Sequence, residues 1–328
     1  MREVAFLAPR RVGRTIGYQK YYLLGLEETA RLRVRGLPPV PGVRAKVGLA
    51  YRFGRGEGQA YVGRYESGGV RFVIDAHDGR EVRDSEALAW SDLYFKANRW
   101  PGDPYGSKVL PVVNGNGLVD RRRLAFLRSL RGHERTVDVA YVSNVWGGRE
   151  HSLRVFERLA ALDCSKDLLA IFPEGFPAAE DEENMERLRS AGVPVTREPL
   201  RPQELWRRLA RARLVPLRAG KHLCVSWRTI DLLAMGACVV FDALPPPRWP
   251  VPFEPGVHVA DCGVERPEDT EAAAEEEYEK VPRTIERLLE RPSEQEALRR
   301  AAAAYFDEHA APGRVAAYLL GQVERASS

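Results

Sequence analysis

Short apolar runs rich in β-branched residues alternate along this chain with stretches whose apolar positions recur every three or four residues. That alternation predicts strands and helices in turn, the pattern of parallel α/β sheets. In the first half, residues 4–8 read as a strand, followed by a loop with Gly13 and Gly17 and a helix over residues 18–33. Residues 47–53 and 70–74 read as further strands, with a glycine-rich, hairpin-like section between them. Residues 88–96 fit a helix or a short strand–helix joint, and residues 108–113 a strand. The second half alternates more cleanly. Strands are predicted over 137–142, 168–172, 193–196, 214–217 and 237–242, and helices over 149–162, 181–191, 202–213 and 227–235. From Ala272 the chain reads as helical to its end, broken near Pro292 and Pro312; the acidic run 265–279 reads as a solvated helix face.

With 328 residues the chain exceeds one typical core, so two domains are expected. The charge supports the division. Residues 1–135 hold 25 basic and 14 acidic side chains, a balance of +11, whereas residues 136–328 hold 25 and 32, a balance of −7. A basic half suits an anionic partner, but no nucleic-acid motif accompanies it. No apolar run approaches the ~18 residues that span a bilayer, and the start MREVAFLAP runs straight into a strand. These features point to the cytoplasm. Cys164, Cys224, Cys238 and Cys262 are scattered, with no C-x-x-C pair, which favours buried thiols over a zinc site.

The stretch 221–242, KHLCVSWRTIDLLAMGACVVFD, carries the densest chemistry. Ser226 is placed to cap a helix beginning near Trp227, where free N–H groups and the dipole favour an anion. Arg228 adds a charge that matches phosphate, and Asp231, three residues on, shares its side and suits ribose hydroxyls. Lys221 follows a strand end, and Arg149 follows Gly147-Gly148 at a helix start. Phe172 and Gly175, in FPEGF, could seat a nucleobase or form a packed turn. FVIDAHDG (72–79) ends an apolar strand in Asp75, His77 and Asp78, a place where α/β sheets gather catalytic groups; these three are candidate general bases, taken in the order Asp75, His77, Asp78. Two carboxylates beside His77 would keep that ring readily protonated. In RRVGRTIGYQKYYLLGLEE (10–28), Arg14, Gly17 and Tyr18 border the first strand's loop, on the side expected to take the acceptor. The interleaved arginines and aromatics there fit either a membrane interface or a helix packing its Tyr/Leu face on the sheet.

Three segments resemble the GT-B glycosyltransferases. PVVNGNGLVD (111–120) is similar to their interdomain linker. VAYVSNVWGGREHSLRVFERL (139–159) resembles the first β–loop–α of their donor domain. VSWRTIDLLAMGACVVFDALPPPRWPVPFEPGVHVAD (225–261) resembles the donor motif of the exostosin-like and group-1 C-terminal domains. The resemblance implies two Rossmann-like domains facing a cleft, followed by C-terminal helices. An acceptor-side domain would cover 1–115, a linker 116–135 and a nucleotide-sugar donor domain 136–310, with the helix 311–328 packing back on the first domain. It implies sugar transfer from a nucleoside-diphosphate donor, UDP- or GDP-linked, to a hydroxyl acceptor, with no other cofactor and no metal. The donor groups would be Arg149, Lys221, Ser226, Arg228, Asp231, Phe172 and Gly175. The family's ribose glutamate is replaced by Asp231, and the second glutamate of retaining enzymes falls on Leu223, so an inverting reaction is expected. An epimerase of the same fold and a non-catalytic binding protein are the alternatives; peripheral contact with the inner membrane face through the basic half is a further expectation.

Overall fold

The computed structural model describes residues 2–7, 14–35, 61–145, 149–174, 179–244, 249–252, 254–265 and 272–328. The chain folds into two compact units, each built on one sheet. The N-terminal unit comprises residues 1–124, 246–252 and 306–328, and the central unit residues 125–245 and 253–305.

The N-terminal unit has a six-stranded mixed sheet in the order β2-β1-β3-β4-β5-β6. β1 (Glu3–Leu7) leads into α1 (Arg14–Thr29), which returns to β2 (Arg31–Arg35), parallel to β1. β3 (Val62–Ser67) and β4 (Val70–Asp75) form a tight antiparallel hairpin through Gly68-Gly69, both at positive φ. A short helix α2 (Ser85–Trp90), capped by the Asp84 side chain, leads to β5 (Leu93–Lys96), and β6 (Val109–Pro111) closes the sheet. β4, β5 and β6 run parallel, so their carboxyl ends share one edge.

Two sequence expectations change here. The helix predicted to reach residue 33 ends at Thr29, because Arg-Leu-Arg-Val-Arg alternates with period 2 and extends as an edge strand with its arginines outward. The partner of β4 is β3; the strand expected over 47–53 lies outside the described residues. Tyr21, Tyr22, Leu23 and Leu26 on α1 are all buried, so the Tyr/Leu face forms interior rather than a membrane surface. Among the described residues no helix is long and apolar enough to cross a membrane.

The central unit begins within α3 (Arg121–Ser129), and a 3-10 turn over Leu130–Gly132 follows it within the segment 116–135. Its six strands are all parallel, in the order β12-β11-β10-β7-β8-β9. β7 (Val137–Asn144), α4 (Arg149–Ala160), β8 (Lys166–Ile171), α5 (Asp181–Ser190) and β9 (Val195–Thr196) form one half. α6 (Pro202–Ala210), β10 (Ala212–Leu217), α7 (Arg228–Ala234), β11 (Val239–Phe241) and β12 (Ala260–Asp261) form the other. The core packs Tyr141, Leu153, Phe156, Leu159, Leu214, Val240, Ile285 and Leu288 between sheet and helices. α7 ends at Gly236 (φ 60°), where N–H groups of Gly236 and Ala237 return to the carbonyls of Leu233 and Leu232, and the chain passes directly into β11.

The C-terminal region is helical with breaks at Pro292 and Pro312, where the sequence places them. Glu275–Glu279 is a 3-10 turn, followed by α8 (Lys280–Leu289) and α9 (Pro292–Tyr305). The acidic run is more than a solvated face: Glu275 pairs with Arg154 and Arg158, and Tyr278 is fully buried. After a π-turn at Phe306–Ala310, α10 (Pro312–Ser327) belongs to the N-terminal unit and packs on α1. Tyr21 Oη donates to the Ala310 carbonyl at 2.5 Å, and Arg2 to that of Leu320 at 3.0 Å.

Candidate functional site

In open α/β sheets ligands gather where parallel strands end, and both sheets carry polar side chains there.

In the N-terminal unit, Asp75 and Lys96 are register partners at the ends of β4 and β5, which sets the two side chains next to each other. Asp75 is 1% exposed and Lys96 fully buried. Asp75 Oδ2 accepts from Tyr94 Oη at 2.8 Å and Lys96 Nζ at 3.3 Å, while Oδ1 accepts the His77 N–H at 2.9 Å. A carboxylate so enclosed is occupied in holding the strand ends together, which corrects its expectation as a general base.

Beyond it lies a pocket of about 230 Å³ lined by Tyr61, Val62, Asp75, His77, Arg83, Asp84, Ser85 and Glu86. The His77 ring is half-buried. Gly79 N–H donates to its Nδ1 at 2.8 Å, and Arg83 Nη1, a donor only, lies 3.1 Å from Nε2, so both ring nitrogens face donors. Its pKa is lowered, chiefly by burial, with Asp75 opposing and Arg83 and Lys96 reinforcing. His77 is therefore the reverse of readily protonated, which corrects the expectation from its two neighbouring carboxylates. Asp78 is half-buried in the turn and does not line the pocket. Asp84, absent from the sequence expectations, does line it. Its Oδ1 accepts the Ala87 N–H at 2.7 Å as the α2 cap; the Asp-Ser-Glu start of a short apolar helix was its sequence signal. Tyr18 is half-buried with its ring 4.2 Å from that of Tyr61, and its hydroxyl lies 3.4 Å from the Tyr61 hydroxyl. Gly17 meets the loop after β6, where a Cβ on Gly117 would stand 1.9 Å from the Gly17 carbonyl oxygen, so that approach requires glycine. The side chain of Arg14 lies outside the described residues.

In the central unit the helix of the donor-like motif is α7, seven residues long and starting at Arg228. Ser226 Oγ accepts the Arg228 N–H at 3.3 Å, but the N-cap position is Trp227 and no side chain caps the helix, which corrects the expectation of Ser226 as its cap. Arg228 Nη1 donates to the Val142 carbonyl at 2.5 Å, and Arg218 Nη2 to that of Asn144 at 3.5 Å. Both guanidinium groups thus stand at the end of β7. Burial lowers the Arg228 pKa, Asp231 and Tyr141 oppose the shift, and Arg218 adds to it. Arg218 was missed from sequence; its one signal is its position immediately after β10. The loop from there to α7 holds His222 and Leu223 at φ 56° and 48°, left-handed backbone rare for non-glycine residues and concentrated at functional sites.

Two donor expectations are corrected. Asp231 is 2% exposed and accepts Trp206 Nε1–H at 2.9 Å, so its carboxylate faces the interior rather than a ribose. Phe172 is 1% exposed within the core cluster and cannot stack on a base. Gly175 and the side chains of Arg149 and Lys221 lie outside the described residues. Among the described residues no cluster of three His, Cys, Asp or Glu side chains is placed to hold a metal ion.

Two Rossmann-like units with polar strand ends and closing C-terminal helices define the GT-B fold. A crystal structure of a glycosyltransferase from Rickettsia africae matches this chain end to end, covering 99% of it and 97% of that protein, with 10% identity and a TM-score of 0.50. Sucrose-phosphate synthase from Thermosynechococcus elongatus matches over 74% of this chain and 60% of its own, with 13% identity and a TM-score of 0.48. Anabaena HepE in complex with UDP and glucose matches over 74% and 65%, with 14% identity and a TM-score of 0.48. The chain thus spans less than two thirds of the latter two proteins. No protein-family model and no curated protein matches it.

Proposed function

We propose that this protein is a glycosyltransferase that moves a sugar from a nucleoside-diphosphate donor to a hydroxyl acceptor. The observation that carries the reading is the pair Arg218 and Arg228, two guanidinium groups crowded at the strand ends of an all-parallel sheet in a GT-B fold. Like charges kept together at such an edge suit a diphosphate, which gains charge as the sugar leaves. Lys221 and Ser226 lie on the same loop and complete the proposed donor site, with Arg149 at the start of α4. Basic side chains in this role fit a metal-independent reaction, and Leu223 in place of the second glutamate fits an inverting one.

The pocket at β4 is the proposed acceptor site, and its presence favours transfer over epimerisation, which uses no acceptor. Arg83 and His77 line the pocket where the acceptor would sit, and Asp84 would take the proton from its hydroxyl. The leaving diphosphate would be balanced by Arg218 and Arg228. Asp84→Asn separates catalysis from folding, because asparagine caps helices as well as aspartate. Transfer should fall by roughly 10²–10⁴-fold with the melting temperature unchanged.

The test of the donor site is a thermal-shift screen against UDP, GDP, TDP, ADP and CMP, with and without Mg²⁺. At 100-fold excess over Kd one of the diphosphates should add about 2.7 kcal/mol, a shift of several degrees. Arg228→Ala should abolish it. Absence of any shift would overturn the reading.

A further inference from the structure

Asp242 directly follows β11, and its side chain is 4% exposed. It reaches three segments. Oδ1 accepts the N–H of Ala243 at 2.6 Å and of Ala219, in the loop after β10, at 3.3 Å. Oδ2 forms a short hydrogen bond with Nε2 of His151, in the first turn of α4 and fully buried. The other ring nitrogen, Nδ1, lies 2.7 Å from Tyr278 Oη. Asp242 Oδ2 can only accept, so the neutral ring carries its proton on Nε2 and Nδ1 accepts from the Tyr278 hydroxyl, whose oxygen in turn accepts the Ala273 N–H at 3.1 Å.

The direction of every bond in this chain is thereby assigned. A packed apolar trio would stabilise the unit as well as these polar groups do. What the polar chain adds is a fixed geometry, since its members bond only in one arrangement. The backbone it fixes is the start of the loop 218–227, which carries Arg218, Lys221, the left-handed residues His222 and Leu223, and Ser226. Asp242 also acts on its surroundings: burial raises the pKa of Asp261, and the Asp242 charge raises it further.

We infer that Asp242, braced by His151 and Tyr278, is a positioning residue that holds the loop after β10 in the shape that receives the diphosphate. The inference rests on the donor reading above. Asparagine at 242 keeps the size and one acceptor oxygen but turns an N–H toward His151 Nε2. The ring must then carry its proton on Nδ1, and Tyr278 must turn its hydroxyl away.

The experiment follows Asp242→Asn in the full chain by three readouts. Nitrogen-15 NMR of labelled histidine should show His151 changing from the Nε2–H to the Nδ1–H tautomer. Hydrogen exchange over residues 218–227 should quicken, and titration with whichever of UDP or GDP binds the wild type should give a Kd roughly tenfold weaker. A changed tautomer with wild-type exchange and wild-type Kd would overturn the inference, as would an unchanged tautomer. A wild type that binds neither nucleotide would sink the donor reading instead, and the exchange comparison would still decide whether Asp242 holds the loop. If Asp242→Asn does not fold, Tyr278→Phe tests the same chain from its far end. It should quicken exchange over 218–227, and unchanged exchange there would again overturn the inference.

Discussion

Lys96→Met should strand a negative charge inside the N-terminal unit. Asp75 and Lys96 are 1% and 0% exposed, and the lysine is the only full cation within ion-pair reach of that carboxylate among the described residues. Methionine matches the length of the lysine stem and leaves little cavity. Asp75 would keep its bonds from Tyr94 and from the His77 N–H but lose its counter-charge. Removing one member of a buried pair costs roughly 3–5 kcal/mol, which raises the opening equilibrium of the strand pair by at least about 100-fold. Asp75→Asn with Lys96→Met should recover most of that loss, because no charge is then left behind. Mass-spectrometric hydrogen exchange of the β4 and β5 peptides is the suitable assay; it reads this unit by itself, where the Ala97 N–H bonds the Asp75 carbonyl at 2.9 Å. Exchange in Lys96→Met within about threefold of wild type would refute the reasoning, equivalent to less than 1 kcal/mol. A double variant as unstable as the single would refute it too, since the loss would then be one of packing.

Arg135 has its three guanidinium nitrogens buried without hydrogen-bond partners, and burial beside Arg299 pushes its pKa down to about 10. Arg135→Met should therefore stabilise the protein by roughly 1–2 kcal/mol, a rise of a few degrees in melting temperature; a fall would show that the guanidinium is satisfied by a bound anion. Gly25→Ala should destabilise, since the new Cβ would stand 2.0 Å from the Pro312 carbonyl oxygen and force α1 from α10. The gain in helix propensity is about 1 kcal/mol and the overpacking about 1–3, so a melting temperature equal to wild type or above would contradict the geometry. The His77 pKa is lowered by folding, so as pH falls through ~6.5 the unfolded chain takes up the proton first and stability declines until the folded pKa is reached. Urea midpoints should fall more for wild type than for His77→Gln between pH 7 and pH 5; parallel curves would exclude the shift.

The parts of the fold that were readable from sequence are those decided by local pattern. The runs ending in β7, β8 and β10 are apolar on both faces, as strands buried in a parallel sheet must be, and Gly236 marks the end of α7 with one residue. Where pattern competes with context the reading slips. Arg31–Arg35 carries three arginines in five residues and looks like a polar helix end, yet an edge strand can keep those stems on its outer face.

The site was less legible, for a different physical reason. Its groups are paired by register and topology rather than by spacing along the chain. Asp75 meets Lys96 because β4 and β5 align them, 21 residues apart in sequence, and His151 meets Asp242 across 91 residues. Sequence spacing linked Arg228 to Asp231 at i+3; the two charges do interact, but the fold turns the aspartate onto Trp206 rather than toward a ligand. A motif ranks residues by type, whereas burial decides which carboxylate is spent on structure. Asp75, Asp231 and Asp242 are each at most 4% exposed and hydrogen-bonded; Asp75 and Asp242 brace strand ends, and Asp231 ties α7 to α6 through Trp206. Beside that bracing stand the groups on which the proposed sites rest: His77 and Asp84 in the pocket at β4, and Arg218 and Arg228 at the end of β7.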